Sequence, residues 1–471
     1  MSMRMRINFF ILGVLGAAVV SAITIPFLAW FYPVELLGKF SFFLLTASFA
    51  VQVGTLGLEQ AYVREYRQSK SRGELLVKVL GPSVVFLCLI IGFAVIFDLA
   101  PLLSAVVAGE SYASLGYLIL LGYVASIAQR FLTVFLRVWS AGLLFFVVLV
   151  LAKLLFILAA FVAREQVSES GFLLYFGYAV SIFIPVLVVT GYLLYKERAG
   201  SFPAVNLSVL VDPGLLRYAI PLSLGAVAFW GVKFSGHLGL RLDADFEGLA
   251  YYSVGISIAT GVGVLGSLFN TMWFPFLFKL ENEGGASKAM SFGLDLAAGI
   301  LLLGVGLLGV LSDLVVMILP PAFEHIKYML PVLVMSPFLY TLSEVTGSGI
   351  ALSRKTSYGM LAGVIASLSA VGSAVLLVRE FGAFGAAYAY LLGHITFFVL
   401  RTEFSRRLVP HAGLAKCYPV VLVCLIYVVF FSQSLALSDF TRSVTGLLLV
   451  VISAFKLRYA AMGYRLLKSY Y

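Results

Sequence analysis

Charge is the scarcest commodity in this sequence: Asp, Glu, Lys and Arg make up 11% of 471 residues, less than half the soluble-protein norm of roughly 25%. With so little charge and so much of the chain apolar, little is left for a soluble catalytic domain. Only three cysteines occur, Cys88, Cys417 and Cys424, all in or beside apolar runs, which argues against a disulfide framework or a zinc site. No HExxH, GxSxG or cysteine-pair pattern is present. Gly261-Val-Gly263-Val-Leu-Gly266 has dinucleotide-loop spacing, but no strand precedes it, and small residues at that spacing suit close helix packing in lipid. Gly349 to Thr356 resembles a phosphate loop without the glycine before the lysine, so Arg354 and Lys355 read as membrane-surface anchors.

What is abundant is apolar surface. Hydrophobic residues form 62% of the chain and the mean hydropathy is +1.05, more than a water-soluble fold can hide. A membrane helix takes about 20 residues. Long apolar runs fall near 8–30, 41–61, 79–99, 113–134, 141–163, 170–194, 216–240, 248–277, 289–312, 328–350, 357–378, 384–402, 417–434 and 441–460. The first begins behind Arg4 and Arg6 and is too long for a signal-peptide core, so it is expected to stay as a span.

The formal charge of +10 is explained by topology. With the N-terminus in the cytoplasm, twenty-three Lys and Arg fall in inside segments and six in outside ones; Arg130, Lys153 and Lys233 lie within spans. Both termini are then cytoplasmic, and nucleic acid is not needed as a partner. Glu35-x-x-Gly38-x-Phe40-Ser41 before the second span is echoed by Glu247-x-x-Ala250-x-Tyr252-Ser253 before the eighth. An offset of six helices keeps orientation. The expected architecture is all-α: about fourteen transmembrane helices, in two six-helix lobes around a central cavity plus two C-terminal helices. The lobes would cover 1–200 and 201–411, with 412–471 holding the last two spans.

Polar residues inside spans are the functional candidates, because a charge at mid-bilayer costs about 2.5 kcal/mol or more. Ser48, Gln52, Thr55 and Glu59 have one-face helical spacing, as do Tyr123, Ser126, Arg130, Thr133 and Arg137, and Trp230, Lys233, His237 and Arg241. Lys153 stands alone mid-span. These stripes suggest a hydrated cavity with more cations than anions. Lys233, Lys153, Arg130, His237, Gln52, Trp230 and Glu59 are its expected lining. Asp295 and Glu344 could bind a coupling ion or pair with a neighbouring cation. Pro26, Pro185, Pro221, Pro275, Pro331 and Pro337 would kink their helices.

Glu35-Leu-Leu-Gly38-Lys-Phe40-Ser41, followed by Gly57-Leu58-x-x-Ala61-x-x-Arg64, resembles the first-hairpin signature of bacterial O-antigen-type polysaccharide-export flippases (Wzx-like), within the multidrug/oligosaccharidyl-lipid/polysaccharide (MOP) superfamily. Gly248 with Tyr252-Ser253, and Phe381-Gly382-Ala383-Phe384-Gly385-Ala386-Ala387, are similar to later family motifs. One position departs: Gly236-His237 stands where many relatives carry Asp-Arg, so the salt bridge the resemblance implies there cannot form. The resemblance implies an inner-membrane, non-enzymatic transporter. It would move an undecaprenyl-pyrophosphate-linked oligosaccharide, a lipopolysaccharide O-antigen or other surface-polysaccharide repeat unit, to the periplasmic leaflet by alternating access. It would need no cofactor beyond possible H+ or Na+ coupling, and would work beside a polysaccharide polymerase and glycosyltransferases. The alternatives are a cation-coupled multidrug antiporter of the same superfamily, which would want intramembrane carboxylates where this cavity has more Lys and Arg than Asp and Glu, and a membrane glycosyltransferase or polymerase, which would want a large outer loop with catalytic carboxylates or arginines.

Overall fold

In a computed structural model the described residues are 3–66, 69, 71–166, 171–197, 212–282, 285–353, 355–409, 416–432 and 439–469, and among them every regular element is helical. The main helices are α1 (Met3–Leu28), α2 (Val34–Gly54), α3 (Leu58–Glu65), α4 (Arg72–Ile96), α5 (Ala100–Ala108), α6 (Ala113–Val138), α7 (Gly142–Phe146), α8 (Ala152–Ala163), α9 (Phe172–Glu197) and α10 (Pro213–Leu242). They continue with α11 (Phe246–Asn282), α12 (Ala286–Val316), α13 (Ile326–Thr346), α14 (Ser348–Leu352), α15 (Thr356–Leu408), α16 (Cys417–Ser432) and α17 (Asp439–Ser469). Nine helices among the described residues are long and apolar enough to cross a membrane, and shorter apolar helices occupy Leu12–Leu28 and Cys417–Ser432. The chain is a multi-pass membrane protein, and large apolar side chains such as Leu89, Ile96, Leu368 and Leu376 stand exposed along the helix surfaces.

Over their described residues the fourteen apolar runs are mainly helical. Two of them are continuous in α15, which is two helices joined at Gly382, whose φ of 52° and ψ of −129° lie outside the helical region. Two left-handed residues, Leu56 and Gly57, end α2 and start α3. That break corrects the expected stripe: Glu59 is not on the same helical face as Ser48 and Gln52, because the helix stops between them. The run at 141–163 is also interrupted, by a π-helical turn over Val147–Leu151 that separates α7 from α8.

Contacts divide the chain into Met1–Val227 and Ala228–Tyr471, a boundary inside α10. The lobe limits expected near 200 and 411 fall outside the described residues. In the N-terminal unit α9 packs on α6 and α8, and α1 on α7. An aromatic cluster fills it: Phe40 lies 5.4 Å from Phe156 and 5.5 Å from Tyr175, and Phe43 lies 5.1 Å from both Tyr175 and Tyr178. In the C-terminal unit α12 packs along α17 and α13, and α13 on α11 and α15. The glycines of the 261–266 motif serve this packing. A Cβ on Gly263 would lie 2.9 Å from Pro337 and one on Gly266 2.2 Å from Thr341.

The repeated motif sits at matching places. Glu35 and Glu247 are in the first turns of α2 and α11, and Phe40 and Tyr252 are fully buried.

Candidate functional site

The polar groups inside the helices separate by whether their charge is answered. In the N-terminal unit, Glu59 is buried on α3 and Arg130 on α6 points Nη2 at its Oε1 across 3.5 Å. Gln60 also reaches that oxygen at 3.5 Å, while Glu59 Oε2 has no hydrogen bond among the described residues. Glu59 and Arg130 are thus brought together, and Arg130 is not a spare cation. Gln52 is half-buried on α2, and its backbone carbonyl accepts a hydrogen bond from Ser223 Oγ at 3.2 Å.

In the C-terminal unit the two expected coupling acids are both in ion pairs. Glu344 is buried and receives Arg401 through two contacts, 2.5 Å to Oε1 and 3.2 Å to Oε2. The fork is possible because residue 347 is glycine: a Cβ there would lie 2.7 Å from Arg401 Nε. Asp295, partly exposed on α12, accepts from Lys456 on α17 at 3.0 Å. Arg401 and Lys456 therefore hold helices together.

Lys233 is different. Its helix, α10, buries Val232 and packs the half-buried Phe229 at 4.4 Å on Phe397 and 5.5 Å on Tyr340. Trp230 stacks on Phe234 at 4.8 Å. His237, one turn beyond Lys233, is buried with Nε2 3.2 Å from Ser253 Oγ and its ring 4.8 Å from Tyr252. So His237 sits in the packed interior although its spacing puts it in the stripe. The Lys233 side chain is exposed and makes no hydrogen bond or ion pair among the described residues.

Lys153, just after the π-helical turn, lines a cavity of about 120 Å³ with Thr24, Gln129, Phe156, Tyr178 and Ser181. It too has no hydrogen bond or ion pair among the described residues. Small-molecule sites run to about 300–1,000 Å³, so this space does not suit a sugar chain. The sequence did not single out this lining, because Thr24 and Ser181 are isolated hydroxyls in different spans. Among the described residues no group of three or more His, Cys, Asp or Glu could hold a metal ion.

No family model matches the sequence, and no curated protein matches it. Solved structures do. Lipid II flippase MurJ, in an inward closed conformation, superposes with a TM-score of 0.71 at 13% identity, covering 96% of this chain and 99% of that one. A multidrug resistance MATE family transporter of the MOP superfamily follows in its inward-facing conformation, TM-score 0.58 at 16% identity, with 88% and 96% covered. An outward-facing MATE family transporter of the same superfamily gives a TM-score of 0.52 at 17% identity, with 86% and 95% covered. The chain has the MOP-type transporter fold.

Proposed function

We propose that this protein is a flippase for a lipid-linked oligosaccharide. Its substrate would be an undecaprenyl-pyrophosphate-linked repeat unit of O-antigen or another surface polysaccharide, carried from the cytoplasmic to the periplasmic leaflet of a bacterial inner membrane by alternating access. Both termini would be cytoplasmic, and a polymerase and glycosyltransferases would supply and consume the glycan. No covalent step is involved.

The observation that carries this reading is the state of the charges within the helices. Glu59, Asp295 and Glu344 are each matched by Arg130, Lys456 and Arg401, whereas Lys233 is matched by nothing among the described residues. A lone ammonium at mid-helix costs about 2.5 kcal/mol or more in lipid, so it belongs in a hydrated path. There it favours an anionic passenger: N–H groups on an ammonium make strong charge-assisted bonds to phosphate oxygens. The lipid tail of such a substrate can remain in the bilayer while the head crosses. Because its cavity is small, Lys153 is left out of the head contacts in this proposal, and Lys233, with Trp230 one turn before it on α10, is the core of the expected lining.

The MOP fold also serves the second reading, a cation-coupled multidrug antiporter, since MATE transporters share it. That activity wants a carboxylate available to a cation, and the three acids here are already in ion pairs. Complementation of a transporter-deficient strain tests the first reading. Lys233→Gln is expected to reduce surface polymer at least tenfold at unchanged membrane abundance, while Lys233→Arg keeps part of the activity. Full polymer from Lys233→Gln would remove the cationic path from the account.

A further inference from the structure

Three cations that are far apart in sequence meet at one end of the C-terminal unit. α15 is a hairpin of two helices joined at Gly382, and the ring pair Tyr358–Phe404, 5.2 Å between centroids, marks its open end. Lys355 lies three residues before Tyr358 and Arg407 three after Phe404, so each stands about one turn beyond that pair. α16 runs back along the second helix of the hairpin. Tyr388 Oη lies 2.5 Å from Ser432 Oγ at its far end, and Tyr418 Oη donates to Glu403 Oε1 at 2.6 Å near its start. Lys416, two residues before Tyr418, is thereby brought to the same end. The neighbouring arginines are already engaged, Arg401 with Glu344 and Arg406 with Glu403. Lys355, Arg407 and Lys416 are exposed, and their side chains make no hydrogen bond or ion pair among the described residues.

Anchoring at a membrane surface asks only that each cation reach headgroups or water on its own. Here the fold gathers three unanswered charges at one level. Beside them stand Tyr358, Phe404 and Tyr418, rings of the kind that settle at the headgroup layer. Met360, Leu361 and Leu422, exposed on the same helices, continue the surface into the apolar zone. Basic clusters between helices at this depth hold anionic headgroups. The guanidinium of Arg407, on the helix that adjoins both others, can grip two phosphate oxygens at once, and an ammonium on either side adds charge. We infer that this end of α15 and α16 is a binding site for one anionic phospholipid, with its phosphate on Arg407, Lys355 and Lys416 and its acyl chains along the exposed apolar side. Under the orientation that the Lys and Arg distribution predicts, the lipid belongs to the cytoplasmic leaflet. It is a resident lipid and not the transported molecule, so the inference can fail while the flippase reading stands.

The purified full chain in a non-ionic detergent is titrated with phosphatidylglycerol, phosphatidylcholine or inorganic phosphate. Bound lipid is counted by native mass spectrometry, and thermal unfolding is followed alongside. The wild type is expected to take up one phosphatidylglycerol saturably and to unfold at a higher temperature with it, as a ligand of the folded state requires. Phosphatidylcholine should do neither, because its choline cancels the phosphate charge. Inorganic phosphate, which has no chains, should not displace the lipid. Lys355→Gln, Arg407→Gln and Lys416→Gln should each weaken phosphatidylglycerol binding about fivefold, the usual contribution of one cation at an anionic surface. The three together should reduce it to the level of phosphatidylcholine. Arg217→Gln, which removes an exposed cation at the start of α10 in the N-terminal unit, should bind as the wild type does. Equal retention of the two lipids, a triple variant that still binds, or a loss in Arg217→Gln as large as in Arg407→Gln overturns the proposal. So does displacement by inorganic phosphate, which would make this a site for the free ion.

Discussion

Two ion pairs inside this chain look alike in sequence and differ in physical weight. Glu344 and Arg401 are both nearly buried and joined by two short contacts, whereas Arg130 is about one-third exposed and meets Glu59 only at 3.5 Å. Removing one member of a buried pair strands the other charge and costs about 3–5 kcal/mol, while replacing both with apolar residues of similar volume is close to neutral. Glu344→Gln is therefore expected to lower stability by about that amount, and Glu344→Leu with Arg401→Met to recover most of it. Glu59→Gln should cost less than Glu344→Gln, since water reaches Arg130. Unfolding in detergent with a chemical denaturant gives all three values. A Glu344→Gln protein as stable as the wild type would contradict the weight given to this pair. The sequence offered pairing as one option for Glu344 and Asp295, but could not name the partners, because Arg401 and Lys456 sit at helix positions that also suit surface anchoring.

Helix breaks decide which side chains share a face, and they were the least legible feature. The Phe381–Ala387 motif explains itself in three dimensions. Gly382 takes a backbone conformation that L side chains rarely adopt, which turns one helix into the next inside α15. Gly385 then lets the second helix lie against the first, since a Cβ there would sit 2.0 Å from the Leu377 carbonyl oxygen. Gly382→Ala should cost about 1–3 kcal/mol from backbone strain. Gly385→Ala should be at least as damaging, because backbone must move. Gly372→Ala is the control: nothing lies within 4 Å of its Cβ position, and alanine is the better helix former by up to about 1 kcal/mol. Thermal unfolding of the three variants should rank Gly372→Ala highest; equal midpoints would contradict the turn geometry. Hydrophobic periodicity located the helices, yet it is silent on Leu56–Gly57 and on the π-helical turn at Val147–Leu151, whose residues are as apolar as any helix. The stripe through Glu59 failed for that reason, and the cavity beside Lys153 escaped notice for a related one: its polar members come from four different helices.

At the scale of the molecule, composition and run lengths were enough for the fold class, because a backbone in lipid must satisfy its own hydrogen bonds and helices do so. The distribution of Lys and Arg further predicts orientation. Reporter fusions after Arg72, Arg198 and Lys416 should read cytoplasmic, and fusions near Glu110 and Asp243 periplasmic; one inverted result removes a helix pair from the topology. Function is less legible at this scale, since MurJ and MATE transporters share the fold and only the charge pattern separates the readings. The most direct measurement is translocation by the purified protein in vesicles. A labelled polyprenyl-pyrophosphate-linked oligosaccharide is placed in one leaflet, and its appearance in the other is timed beside protein-free vesicles. The account predicts protein-dependent flipping that falls at least tenfold in Lys233→Gln, with no ion-driven movement of cationic drugs. Flipping no faster than in protein-free vesicles, together with H+- or Na+-driven export of a cationic drug, would contradict it.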